Sequence, residues 1–156
     1  MKVSKFVKIA VASDHAGFAA KEEIKKYLAG KGYEVKDFGC FSKESCDYPD
    51  FVFPAAQAVA KGDLDKGIFI CGSGNGVNIV ANKVRGIRAA VAYNKETARL
   101  AAEDTGCNVI SFGAKFMKIE DIKERIDVWL LASVPTGRHK RRVEKITRGE
   151  KCYRQK

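Results

Sequence analysis

The sequence predicts an α/β protein in which helices cover both faces of a five-stranded, mostly parallel sheet. Two patterns lead to this prediction. Five short apolar runs recur along the 156 residues, and segments with helical periodicity separate them. Strands that are apolar without alternation are typical of parallel sheets buried between two helical layers. With 46% hydrophobic and 31% charged residues, the chain has the composition of a globular protein with one sizeable core.

Each predicted element has a local signature. The predicted strands are residues 6–13, 33–39, 66–72, 86–93 and 107–113. The predicted helices lie within residues 18–32, 47–62, 75–84, 94–106, 118–133 and 137–147. The second helix begins near Pro49 or Pro54, because proline is favoured in the first helical turn, and Asn94 is suited to cap the fourth. A single domain is expected over residues 1–147, followed by a flexible basic tail over residues 148–156.

The carboxyl ends of the strands are where ligands collect in sheets of this kind. Three polar segments follow predicted strands: SDHAG after the first, CGSGNG after the third and YNKET after the fourth. These segments are distant in sequence, but a parallel sheet can bring them to one edge. We therefore expect the functional site at that edge.

The segment CGSGNG, residues 71–76, is suited to hold an anion. Glycine allows close backbone approach and positive φ, and the start of the next helix offers free N–H groups and a positive dipole end. These features fit a phosphate or an oxyanion that develops during a reaction. The segment lacks the Lys-Ser/Thr ending of a P-loop, and it follows the third strand, unlike a dinucleotide fingerprint. A tight turn without a ligand is the alternative.

Cys71 stands at the end of the third strand, directly before this loop. A thiol at a helix N-terminus is favoured as the thiolate, which can act as a base or a nucleophile. The alternative is an inert core cysteine. At the end of the first strand, Asp14 and His15 form an adjacent pair that can orient hydroxyl groups or transfer protons. The alternative for this pair is a helix cap beside a core histidine.

The net charge of +10 is concentrated near the C-terminus, where residues 138–156 hold nine Lys or Arg and two Glu. On a helix, Arg138, Arg142 and Lys145 share one face, and the forked donors of arginine suit a phosphate group. A solvated basic helix is the alternative. Nucleic-acid binding is disfavoured, because Tyr153 is the only aromatic residue in this segment.

Other features argue against export, membrane insertion and a zinc site. No apolar run approaches the ~18 residues of a membrane span, and the N-terminal segment lacks the apolar stretch and cleavage site of a signal peptide. The five cysteines do not show the close spacing of zinc ligands. We expect a cytoplasmic protein with reduced thiols.

In combination, the motifs ASDHAGF, DYPDF, ICGSGNG, ANKVRGIRAA and GRHKRRV resemble those of the ribose-5-phosphate isomerase type B family, which includes the galactose-6-phosphate isomerase subunits. They occur in the family's order over roughly residues 8–147. The resemblance implies a Rossmann-like or flavodoxin-like α/β/α sandwich and a homodimer, or a dimer of dimers. It also implies interconversion of ribose 5-phosphate and ribulose 5-phosphate through a cis-enediolate, without a metal or a cofactor.

The same resemblance implies roles for individual residues. Cys71 matches the cysteine that moves the proton between C1 and C2. The residues that match the loop around the enediolate oxygens are Gly72, Ser73, Gly74, Asn75 and Gly76. Those that match sugar contacts are Asp14, His15 and Tyr48. Arg138 and Arg142 match a phosphate clamp that comes from the partner subunit in the family.

The stretch AAEDTGCNV departs from the family's usual AREHNDANV. Asp104 stands in place of the histidine that helps to open the furanose ring, and Thr105 stands in place of the asparagine that follows it. A free aspartate is ionised at neutral pH and has no proton to donate. Lys115 stands in place of an arginine of the family. Val77 occupies the place of the glutamate that some relatives use as the base, so Cys71 is the only matching base.

Two alternatives stay open at this point. The first is a different substrate, a six-carbon sugar phosphate of the allose or galactose 6-phosphate type. The second is a protein that binds sugar phosphates without catalysing their isomerisation, which the replaced histidine at Asp104 motivates.

Overall fold

The predicted architecture is confirmed. The structure is a computed structural model that describes residues 7–153, and its five strands form one parallel sheet in the order β2-β1-β3-β5-β4. The strands are β1 Lys8–Ser13, β2 Glu34–Asp37, β3 Lys66–Cys71, β4 Ala89–Val91 and β5 Val109–Gly113. The helices are α1 Phe18–Gly30, α2 Tyr48–Lys61, α3 Asn75–Asn82, α4 Lys95–Glu103, α5 Ile119–Leu131 and α6 Gly137–Tyr153. Within residues 7–153, no helix is both long and apolar enough to cross a membrane.

Two separate cores form because successive side chains of a strand point to opposite faces of the sheet. In β3, Ile68 and Ile70 pack with buried side chains of α1, α4 and α5. Phe69 and Cys71 face the other way and pack with α2 and α3. This alternation places Cys71 on the side of the sheet that α2 and α3 cover.

The starts of two helices follow the sequence signals. α2 begins at Tyr48 with Pro49 in its first turn, and Pro54 lies inside the helix. Of the two predicted start points, Pro49 is therefore the correct one. α4 is capped as predicted, because the Asn94 side chain accepts the N–H of Thr97 at 2.8 Å.

The last helix extends further than predicted. α6 continues to Tyr153, whereas the sequence predicts a flexible tail from residue 148. The Glu150 carboxylate accepts the N–H of Gly86 at 3.0 and 3.1 Å, which attaches this end of α6 to the loop before β4. Residues 154–156 of the predicted tail lie outside the described residues.

A buried lysine connects α1 to β2. The Lys21 side chain is fully buried, and its ammonium group donates to Glu22 at 2.9 Å and to Asp37 at 2.6 Å. Burial by itself would raise the pKa of Asp37, but the ammonium groups of Lys21 and Lys25 and the N–H of Gly39 hold it below its ordinary value. The chain then returns from Gly39 to β1, where its carbonyl oxygen accepts the N–H of Ser13 at 2.6 Å. These contacts fix the end of β1, where Asp14 and His15 follow.

Gly17 lies where the turn after β1 meets the end of β3. Its N–H donates to the Asp14 carboxylate at 2.9 Å. A Cβ at this position would lie 2.4 Å from the carbonyl oxygen of Ile70, which is closer than real Cβ atoms approach backbone. The absence of a side chain therefore allows α1 to start directly against β3.

Substituting two glycines of the α1 region tests this close approach. Gly17→Ala is expected to lower the free energy of unfolding by roughly 1–3 kcal/mol, because the added methyl group must displace backbone. Gly30→Ala is the matched control, because nothing lies within 4 Å of its Cβ position. It should leave stability unchanged or raise it by up to about 1 kcal/mol. Urea unfolding followed by circular dichroism measures both, and an equal effect of the two substitutions would contradict the interpretation.

Candidate active site

The carboxyl ends of β1, β3 and β5 lie side by side and border a cavity of about 440 Å³. The residues that line it are Asp14, Tyr48, Cys71, Gly72, Ser73, Gly76, Lys115 and Phe116. All of them except Phe116 are site residues that the sequence predicts. The segment YNKET after β4 is not part of this lining, so the predicted convergence holds for two of its three segments.

Cys71 is held in place by backbone on both sides. It is the last residue of β3, and only 4% of its surface is exposed. The Gly74 N–H donates to its Sγ at 3.1 Å, and its carbonyl oxygen accepts the N–H of Ala114 at 2.8 Å. Cys71 thus packs in a core and also lines the cavity, so its position is compatible with both roles that the sequence left open.

The loop after Cys71 rests directly on the end of β5. Gly74 has φ +85°, and a Cβ there would lie 2.9 Å from the carbonyl carbon of Phe112. A Cβ on Gly113 would lie 2.5 Å from the carbonyl oxygen of Ser73. The two backbones therefore meet without side chains between them. α3 begins at Asn75, and the N–H groups of its first turn have no partners within the helix.

Tyr48 and Lys115 each contact a glycine of this loop. A Cβ on Gly76 would lie 2.6 Å from Cζ of Tyr48, and one on Gly72 would lie 3.3 Å from Cδ and Cε of Lys115. The Lys115 N–H also donates to the carbonyl oxygen of Gly72 at 3.1 Å. Lys115 is the one cation among the described residues that line the cavity.

Asp14 and His15 occupy the turn after β1 and are both anchored. One carboxylate oxygen of Asp14 accepts the N–H of Gly17, as a helix-capping residue would. His15 is exposed, and its Nδ1 accepts the N–H of Cys46 at 3.2 Å. The neutral imidazole therefore carries its proton on Nε2, so the free edge of His15 is a hydrogen-bond donor.

At two other cysteines, Cys46 and Cys107, the thiol form is favoured. Burial, followed by the effect of the neighbouring Cys40 thiol, raises the pKa of Cys46. Burial also raises the pKa of Cys107, against the opposing hydrogen bond from Thr105. Within residues 7–153, no group of three or more His, Cys, Asp or Glu side chains is arranged to hold a metal ion.

The remaining predicted residues form a second group, which does not line the cavity at Cys71. Asp104 ends α4, and Thr105 follows it and donates its hydroxyl to the carbonyl oxygen of Ala101 at 2.9 Å. Arg138 and Arg142 lie in the first turns of α6, where both are exposed. One chain alone therefore does not bring the predicted phosphate clamp to the cavity.

His139 belongs to this second group, although the sequence analysis did not single it out. Its Nδ1 lies 3.6 Å from a carboxylate oxygen of Asp104. The Nε–H of Arg138 donates to its Nε2 at 3.4 Å. The two partners are 35 positions apart in the sequence, so no local pattern indicates their contact.

The cavity at Cys71 contains what a proton transfer next to a carbonyl group requires. A sulfur atom with an N–H donor can act as the base, and the N–H groups at the start of α3 can stabilise an oxyanion. Lys115 adds a positive charge beside the loop, and the polar groups of Asp14, His15 and Tyr48 can bind hydroxyl groups.

Known proteins are similar to this chain in both sequence and fold. The Ribose/Galactose Isomerase family model matches residues 9–146. Ribose-5-phosphate isomerase B of Escherichia coli K12 is 45% identical over 140 residues, which cover 90% of this chain and 94% of that protein.

Two solved structures are similar to it as well. Ribose-5-phosphate isomerase B of Clostridium thermocellum has a TM-score of 0.92 and 46% identity, covering 94% of this chain and 99% of that one. The enzyme of Mycoplasma genitalium, solved with bound ribulose-5-phosphate, has a TM-score of 0.89 and 40% identity, covering 93% and 97% of the two chains.

Substitution of Gly113 tests the contact between the loop and β5. Gly113→Ala is expected to push the Ser73 carbonyl away, lower the free energy of unfolding by roughly 1–3 kcal/mol and expose Cys71. Iodoacetamide labelling of Cys71, located by peptide mass spectrometry, should then be several times faster than in the unsubstituted protein. Gly149→Ala is the control, because its Cβ position is open. Unchanged labelling in Gly113→Ala would show that the contact does not position Cys71.

Proposed function

The chain belongs to the ribose/galactose isomerase family, and on this basis we propose that it interconverts ribose 5-phosphate and ribulose 5-phosphate. The observation that carries the proposal is the Gly74 N–H bonded to Cys71 Sγ at the wall of the cavity. This observation supports the proposal, because an aldose–ketose isomerisation needs a positioned base beside N–H donors, and Cys71 and its loop fit these roles.

Cys71 acts as the base of the reaction. In the open-chain aldose, the thiolate removes the proton from C2, and the electron pair moves through C1 to the carbonyl oxygen. This step gives a cis-enediolate. The proton of the C2 hydroxyl then passes to O1, the thiol returns its proton to C1, and the electron pair left at O2 forms the new carbonyl group. The proton moves by one carbon, and the substrate is oxidised at C2 and reduced at C1.

The loop stabilises the enediolate. Its oxygens O1 and O2 carry negative charge that the substrate does not have, so donors aimed at them lower the barrier more than they strengthen substrate binding. The N–H groups of Gly72, Ser73 and Gly76 and the Ser73 hydroxyl supply these donors, because the glycines leave the backbone accessible. The N–H groups of Gly74 and Asn75 are engaged with Cys71 Sγ and Ser73 Oγ. The contact with β5 fixes the donors before the substrate arrives.

Further residues in the cavity, together with His15 beside it, orient the sugar. Asp14 can accept hydrogen bonds from hydroxyl groups, and His15 can donate from its Nε2. Tyr48 lies against Gly76 and closes one side of the loop. Lys115 contributes a positive charge toward the phosphate, whose binding energy helps to hold C1 and C2 at the base.

A second copy of the chain completes the phosphate site. Among the described residues, neither Arg138 nor Arg142 pairs with a carboxylate, and both are exposed on α6. The cavity at Cys71 has one lining cation, while a phosphate dianion favours several. A homodimer in which α6 of one subunit reaches the cavity of the other would supply the two arginines, together with the end of α4.

Removal of the thiol tests the assignment of the base. Cys71→Ala is expected to lower kcat for ribose 5-phosphate by about 10²–10⁴-fold, the usual contribution of a positioned base. Binding of ribulose 5-phosphate, measured by calorimetry, should persist. Cys152→Ala is the control, because this cysteine is exposed on α6. Unchanged turnover in Cys71→Ala would refute the assignment, and binding without turnover of any sugar phosphate by the unsubstituted protein would indicate a non-catalytic relative.

Subunit mixing tests the shared site. Equal amounts of Cys71→Ala and Arg142→Ala proteins, after subunit exchange, should regain up to about a quarter of the original activity, because half of the dimers then hold one intact site. Cys71→Ala mixed with Lys115→Ala is the control. Both of these residues line the same cavity, so hybrids of this pair have no intact site. No recovery in the first mixture, once exchange is proven by mass spectrometry, would argue that each subunit works alone.

A further inference from the structure

The proposed isomerisation requires an additional proton transfer that Cys71 does not provide. An aldopentose phosphate exists mostly as a furanose ring, and its C2 proton becomes acidic only after C1 is an open aldehyde. Ring opening takes the proton from the C1 hydroxyl, breaks the bond between C1 and the ring oxygen, and places a proton on that oxygen. Both oxygens are attached to C1, so a single nitrogen atom can reach both.

The contact between Asp104 and His139 has the form of an acid–base pair. Its Nδ1 to carboxylate distance of 3.6 Å places the Nδ1 proton toward Asp104, and the Nε2 lone pair accepts from Arg138. This arrangement fixes the tautomer and leaves Nε2 as the atom that can exchange a proton. Three quarters of the His139 side chain and about three fifths of that of Asp104 are covered by protein.

The contact joins the ends of two helices. Asp104 is the C-cap of α4, and His139 lies in the first turn of α6. The contact therefore places the imidazole beside a carboxylate, which can stabilise the positive charge that the ring gains when it accepts a proton.

We propose that His139, positioned by Asp104, opens the sugar ring of the substrate bound at the partner's cavity. The inference rests on the proposed function and on the shared site. His139 Nε2 removes the proton from the C1 hydroxyl, the C1–O4 bond breaks as the carbonyl group forms, and Nε2 returns the proton to O4. The imidazolium that exists between these transfers is stabilised by the Asp104 carboxylate.

Arg138 couples this step to phosphate binding. Its guanidinium Nε–H donates to His139 Nε2 at 3.4 Å. A phosphate group offers it stronger, bidentate hydrogen bonds than an imidazole does. When Arg138 turns to the phosphate, the Nε2 lone pair becomes free. The ring oxygen is bonded to C4, and C5 carries the phosphate, so a group beside the phosphate clamp lies close to that oxygen.

The other histidine is less suited to this role. The sequence contains two histidines, and Nδ1 of His15 is already occupied by the N–H of Cys46. The free edge of His15 therefore donates and cannot accept the proton of the C1 hydroxyl. Asp14 has one oxygen occupied by the N–H of Gly17, and within residues 7–153 no side chain hydrogen-bonds to its carboxylate.

Ring opening can be measured apart from isomerisation. In a Cys71→Ala background the C2 proton stays in place, but an active opening group still interconverts the α and β anomers of ribose 5-phosphate through the open chain. Carbon-13 exchange spectroscopy on ribose 5-phosphate labelled at C1 reports this rate. The Cys71→Ala protein should accelerate this exchange of anomers. In the double variant with Cys71→Ala and His139→Gln, the acceleration should be smaller by at least about tenfold.

Companion variants separate the positioning role from a structural one. Asp104→Asn in the same background should lose most of the acceleration, and Asp104→Glu should keep part of it. Lys140→Gln, an exposed neighbour on α6, should keep all of it. Calorimetry with ribose 5-phosphate confirms that each variant still binds its ligand.

The outcomes distinguish this inference from the proposed function. Equal acceleration with and without His139 would overturn the inference while leaving the isomerase proposal intact. A Cys71→Ala protein that binds ribose 5-phosphate without accelerating the exchange of its anomers would also overturn the inference. A Cys71→Ala protein that does not bind ribose 5-phosphate, together with an inactive unsubstituted protein, would overturn the proposed function and with it the inference.

Discussion

The close contact between two stretches of backbone, Ser73–Gly74 and Phe112–Gly113, is the constraint on which the site depends. Neither Gly74 nor Gly113 has room for a Cβ, so the loop after β3 lies directly on the end of β5. This contact aims the Gly74 N–H at Cys71 Sγ and orients the first turn of α3 toward the cavity. Tyr48 and Lys115 then lie over the loop because its other glycines also lack side chains.

The charges of the site are divided between two places in one chain. The cavity at Cys71 has the proposed base, the backbone donors and one lysine, which suit the reacting carbons. The ends of α4 and α6 hold Asp104, His139 and the arginines, which suit a phosphate and a proton relay. A dimer would join the two sets, and its formation would then be a condition for catalysis as well as for stability.

The sequence predicts the parts that depend on local pattern. The apolar runs predict the five strands, and Asn94 predicts a helix cap. The position of Cys71 before three glycines predicts the centre of the candidate site. Features that depend on tertiary packing are not predictable in this way. A lysine in α1 is expected at the surface from the sequence, and the burial of Lys21 depends on its contact with Asp37 of β2. The contact of His139 with Asp104 depends in the same way on the packing of α6 near α4. The end of α6 is also set by a distant contact, between Glu150 and Gly86.

The close contact of the loop with β5 also limits how the protein can diversify. Its donors are main-chain groups, and Gly74 has no room for a side chain, so a substitution there would shift the loop instead of changing a single donor. Phe116 differs, because it borders the same cavity, is 79% exposed and packs in neither core. Substitutions that adapt the protein to sugars of another length would occur at such rim positions, while the groups that transfer protons stay the same.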